Sequence, residues 1–60
     1  RTLIEEGYRG YNIISIGDKL YGLAQNEGKL DLDRVHTEGY RCIVGKSVEE
    51  VKQLIGRASK

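Results

Sequence analysis

Sixty residues with ten basic and nine acidic side chains carry a net charge of +1. That length suits one small domain, residues 1–60, and that balance lacks the single-sign field of a nucleic-acid or anionic-membrane binder. Cys42 is the only cysteine, so no internal disulfide exists, and with His36 as the only histidine the usual four-ligand zinc set is out of reach. No cofactor is expected.

A chain this short buries only about 60% of its unfolded surface, so a partner subunit or host chain is an expected source of further burial. The opening, RTLIEEGYRGYN, has no apolar run long enough for a signal peptide, and no stretch reaches a membrane span, so no membrane insertion is expected. The chain opens on Arg1 and contains no Met, which suggests a fragment of a longer chain. One unpaired thiol without a targeting segment favours a cytoplasmic setting.

YNIISI, Tyr11 to Ile16, is β-branched and aromatic and reads as a strand. KLYGLAQ follows, with Gly17 and Asp18 between. A Gly-first two-residue loop suits a type I′ or II′ hairpin turn. Closing it there opposes Ile16 to Lys19, Ile14 to Tyr21 and Asn12 to Leu23 on one face. Ser15 opposite Leu20, Ile13 opposite Gly22 and Tyr11 opposite Ala24 fill the other. Both faces are partly apolar, which is unusual for a sheet with one wet side. Asn26 to Gly28 reads as a loop, and LDLDRV as a short run holding Leu30, Leu32 and Val35, in which Asp31 could cap or open a helical turn. Tyr40 to Gly45 reads as a third strand, with Tyr40, Cys42 and Val44 on one face.

The last segment carries a capping box, Ser47 with Glu50, ahead of an apolar stripe of Val48, Val51, Leu54 and Ile55 at helical spacing. Gly56 is the expected stop. The expected fold class is α+β: a small three-stranded antiparallel sheet, β-β-short helix-β-α, with the C-terminal helix on one face. The opposite face is expected to want a partner.

Tyr11, Asn12, Ile13, Tyr21, Gln25, Gly28, Asp31, Leu32, Ser47, Glu49, Glu50 and Val51 together form a loose pattern over about three quarters of the chain. On these residues the chain resembles a short accessory module of bacterial glycosyltransferase-like and other cell-envelope biosynthesis proteins. Ala24 stands where the resembled segments place Pro. The resemblance implies a non-catalytic accessory role and brings no catalytic residue with it.

No catalytic constellation stands out. Cys42 lies mid-strand and reads as a small apolar filler, and His36 reads as a solvated loop residue. Asp31, Asp33 and Glu38 lack the rhythm of a calcium loop and read as a solvated acidic turn. GKS at Gly45 to Ser47 sits where a helix could bind an anion, but the upstream glycine is missing and Glu49 and Glu50 would repel phosphate.

Tyr and Arg are enriched at interface hot spots. The interface candidates are therefore Tyr8, Arg9, Tyr11, Ile13, Tyr21 and Arg41. The favoured function is a non-catalytic protein-interaction module, not an enzyme, acting through its uncovered sheet face or an edge strand. Its partner would be a host chain or a second copy forming a homodimer. The alternative is a module that binds glycan or single-stranded nucleic acid on a Tyr/Arg surface.

Overall fold

The computed structural model describes residues 1–58. Its strands are β1 (Thr2–Tyr8), β2 (Tyr11–Ile16), β3 (Lys19–Ala24) and β4 (Cys42–Gly45), followed by one helix, α1 (Val48–Ala58). The strands form a four-stranded antiparallel meander in the order β1-β2-β3-β4. The α+β reading therefore stands with one strand more than expected.

The added strand is β1. Its two register shifts against β2 hide it from any alternating pattern. Leu3 opposes Ile14, but Glu5 opposes Ile13, which leaves Ile4 as an extra residue; a second shift precedes Tyr8 opposite Tyr11. At that second bulge Gly7, at φ 81°, donates its N–H to Asn12 Oδ1 at 3.0 Å. The same oxygen accepts from Gln25 Nε2 at 3.2 Å, so Asn12 ties the bulge to the exit of β3.

The β2–β3 hairpin keeps the expected register at all six pairs, from Tyr11 opposite Ala24 to Ile16 opposite Lys19. Gly17 has φ 62° and Asp18 does not enter the positive region, the pattern of a type II′ turn. β4 begins at Cys42, two residues later than expected.

Both faces of the sheet are covered. On one, Tyr11, Ile13 and Ala24 pack under Val51 and Ile55 of α1. The helix comes close because Gly22 and Gly45 have no side chains. A Cβ on Gly22 would lie 2.9 Å from Val51 Cγ1, and one on Gly45 would lie 2.8 Å from Val51 Cγ2. On the other face, Tyr21 and Leu23 pack with Leu30, Val35 and Tyr40 from the β3–β4 connection. The expectation of an uncovered face is thus corrected over β3 and β4, where the chain's own connection supplies the second layer; Leu3 of β1, opposite Ile14 on that side, stays exposed.

That connection is fixed by local polar contacts. Tyr40 Oη accepts the Asp31 N–H at 2.9 Å and donates to Lys29 O at 3.1 Å. Arg34 lies 4.8 Å from the Tyr40 ring centroid. Asp31 caps the 3-10 turn Leu32–Arg34 by accepting the Asp33 N–H at 3.0 Å, as expected of it.

At α1 the Ser47 hydroxyl accepts the Glu50 N–H at 3.1 Å. The Glu50 carboxylate reaches back to the N–H of Lys46 at 2.6 Å, one residue before the one a standard capping box uses. Gly56 does not end the helix, which runs on to Ala58. Arg57 and Ala58 are strong helix formers, and one glycine costs only about 1 kcal/mol against them.

Candidate functional site

The six interface candidates fall into three places. Ile13 is fully buried, at 0% exposure, beneath α1, and Tyr21 is 9% exposed beneath the β3–β4 connection. Both are core residues and neither offers a contact surface. The alternation of β2 and β3 assigned them to faces but could not show that each face acquires a cover from elsewhere in the chain.

Tyr8, Arg9, Tyr11 and Arg41 do come together, at one end of the sheet. The Gln25 N–H donates to Gly10 O at 2.9 Å and the Ala24 N–H to Arg41 O at 3.0 Å. These bonds join the β1–β2 turn, the exit of β3 and the entry to β4. Tyr8 and Tyr11 oppose each other across β1 and β2. The Arg9 guanidinium lies 6.0 Å from the Tyr8 centroid and that of Arg41 lies 5.9 Å from the Tyr11 centroid.

Sequence reasoning missed a third cation. Lys52 of α1 stands 5.0 Å from the Tyr8 centroid and pairs with Glu5 at 2.8 Å. The hydrogen bond to Glu5 is the main cause that pushes the Lys52 ammonium above its ordinary pKa. Tyr11 is only 4% exposed, so it serves as a rigid support for the arginine above it. Arg9 and Arg41 are exposed.

Sequence reasoning also missed the flank of β1. Leu3 is 55% and Ile4 45% exposed on the outermost strand of the sheet. A signal existed in the pair of adjacent aliphatics ahead of Glu5 and Glu6, but the bulges removed the period that would have marked a strand.

The remaining groups offer little chemistry. Cys42 is half-buried, and desolvation pushes its thiol up to about 11, away from the thiolate that nucleophilic chemistry needs. His36, Asp31, Asp33 and Glu38 are exposed. Among the described residues no three of His, Cys, Asp and Glu gather as metal ligands, no pocket opens, and no helix is long and apolar enough to cross a membrane. At the GKS segment Glu50 takes the Lys46 N–H and Ser47 takes the Glu50 N–H, and the Glu49 and Glu50 carboxylates in the first turn of α1 would repel an anion there.

No family model, curated protein or solved structure matches this chain. The pattern that resembles envelope-biosynthesis accessory modules is largely accounted for by the fold. Tyr11, Ile13, Tyr21 and Val51 are core, Asn12 and Gln25 bond each other, and Asp31 and Ser47 cap.

Proposed function

We propose that this domain is a non-catalytic protein-interaction module, an accessory part of a larger protein, that docks through the exposed flank of β1. The carrying observation is the exposure of Leu3 and Ile4 on an edge strand of a sheet whose two faces are already filled from within the chain. Taking the exposed half of each side chain out of water is worth about 1 kcal/mol apiece. A second copy, giving a homodimer, is the partner to test first.

The mode is side-chain docking. Strand addition along β1 is disfavoured because two bulges and the charged Glu5 and Glu6 interrupt its outer edge, devices that natural sheets use against edge-to-edge pairing. The alternative reading, stacking of sugar rings or bases on tyrosines, has less support: Tyr11 and Tyr21 are buried and Tyr8 already carries Lys52.

Sedimentation velocity tests the reading, with protein concentration raised to about 1 mM, where a contact of roughly −4 kcal/mol half-saturates. The wild type is expected to shift toward dimer and Leu3→Asp/Ile4→Asp to stay monomeric with unchanged circular dichroism. A wild type and variant with the same sedimentation at every concentration would contradict it.

A further inference from the structure

The Tyr8-Arg9-Gly10-Tyr11 turn holds two successive residues at positive φ, Arg9 at 51° and Gly10 at 84°. Among the described residues Arg9 is the one non-glycine in that region. Such type I′ turns favour Gly, which has no Cβ to meet the following carbonyl, and Asn or Asp, whose short polar side chains hydrogen-bond locally. What the fold gains from an arginine here is one distant contact, the Tyr8 ring 6.0 Å from its guanidinium. Its side chain is exposed, and among the described residues no carboxylate lies within 4.0 Å of it. Backbone strain held for so small a structural return points to a functional contact.

A second observation is independent of that strain. Arg41, the residue before β4, reaches the same end of the sheet, exposed and likewise without a carboxylate paired to its guanidinium among the described residues. Both guanidinium groups rest near tyrosine rings that oppose each other across β1 and β2. Of the three cations there, Lys52 alone is met by an acid, Glu5. Each arginine thus stands near a tyrosine ring, the half-exposed Tyr8 for Arg9 and the buried Tyr11 for Arg41, with no side-chain ion pair among the described residues.

Building on the interaction-module reading, we propose that Arg9 and Arg41 bind a carboxylate-rich extended segment of a partner protein. Each planar guanidinium can take one carboxylate through paired N–H groups. A protein partner, as opposed to a phosphodiester chain, follows from the surroundings. The patch offers two guanidinium groups, unpaired among the described residues, which match two carboxylates of a peptide, and not the run of basic groups that tracks a phosphodiester backbone. Affinity for a phosphodiester chain comes mainly from many cation–phosphate contacts, which a domain of net charge +1 does not supply, whereas a carboxylate can be held by paired hydrogen bonds to one guanidinium.

The test is an amide chemical-shift titration of the domain with a blocked hexaglutamate peptide, with a hexathymidylate strand in parallel. The peptide is expected to move Tyr8 to Tyr11, Arg41 and Lys52, and added salt to weaken it. Arg9→Gly, which also relieves the turn, and Arg41→Gln should each lower affinity about threefold to fivefold while leaving the fold intact. No response to hexaglutamate, equal affinity in both variants, or tighter binding of hexathymidylate would overturn the proposal. Dimerisation that persists through Leu3 and Ile4 without hexaglutamate binding would remove this proposal alone. Loss of that dimerisation with hexaglutamate still bound would remove the β1 docking mode and leave the arginines.

Discussion

Gly22 is the position where the fold makes its sharpest quantitative demand. It lies in β3 directly beneath α1, and a Cβ there would stand 2.9 Å from Val51 Cγ1 and 3.0 Å from Ile55 Cδ1. Contacts that short force the helix or its side chains to move. Overpacking a filled core costs about 1–3 kcal/mol. Replacing glycine stiffens the unfolded chain and returns about 0.4–1 kcal/mol. Gly22→Ala should therefore destabilise the domain by about 1–2 kcal/mol, a large share of the roughly 3–9 kcal/mol expected at this length. The assay is urea unfolding followed by circular dichroism, repeated in a Val51→Ala background. Removing the Val51 methyls vacates the space, so the penalty of Gly22→Ala should shrink there by about 1 kcal/mol or more. A Gly22→Ala protein as stable as the wild type, or a penalty equal in both backgrounds, would refute the close approach of helix and sheet.

The other predictions concern the second layer, the helix start and the thiol. Tyr40→Phe deletes the hydroxyl that joins Lys29 O to the Asp31 N–H, and should cost about 1–2 kcal/mol, with faster hydrogen exchange confined to the β3–β4 connection. Ser47→Ala removes the cap at the start of α1 and should cost about 1 kcal/mol in the same urea assay. Burial lifts the Cys42 thiol to about 11, so alkylation should be slow at neutral pH and accelerate only as pH approaches that value. Because the folded state holds that proton more tightly than the unfolded chain, the contribution is fully present below about pH 9 and is lost as pH rises toward 11. The wild type should accordingly lose stability relative to Cys42→Ala across that window, and parallel pH curves for the two proteins would count against a buried thiol.

What could be seen in the sequence was what short-range chemistry decides. The Gly17–Asp18 turn sets the register of β2 against β3, and Ser47 with Glu50 sets the start of α1. The faces of β4 were legible too, since Cys42 and Val44 alternate onto one side and pack there. Features that depend on distant contacts were not. β1 has bulges at Ile4 and before Tyr8, so no period of two survives to mark it. Leu30, Val35 and Tyr40 are scattered through a polar connection, and only the tertiary fold gathers them over Tyr21 and Leu23. For that reason Tyr21 and Ile13 were placed at a surface when each lies under a layer from another part of the chain. Among the candidates, Arg9 and Arg41 were legible as residue types, but their common location needs the hydrogen bonds from Ala24 to Arg41 and from Gln25 to Gly10.

The most direct measurement of the central claim is a concentration series of amide spectra on the wild-type domain. Docking through the flank of β1 predicts concentration-dependent shifts at Thr2 to Glu6 and across the strand at Ile14, with Leu30, Val35 and the outer face of α1 unmoved. Shifts confined to α1 or to the β3–β4 connection, or spectra that do not change with concentration, would contradict it.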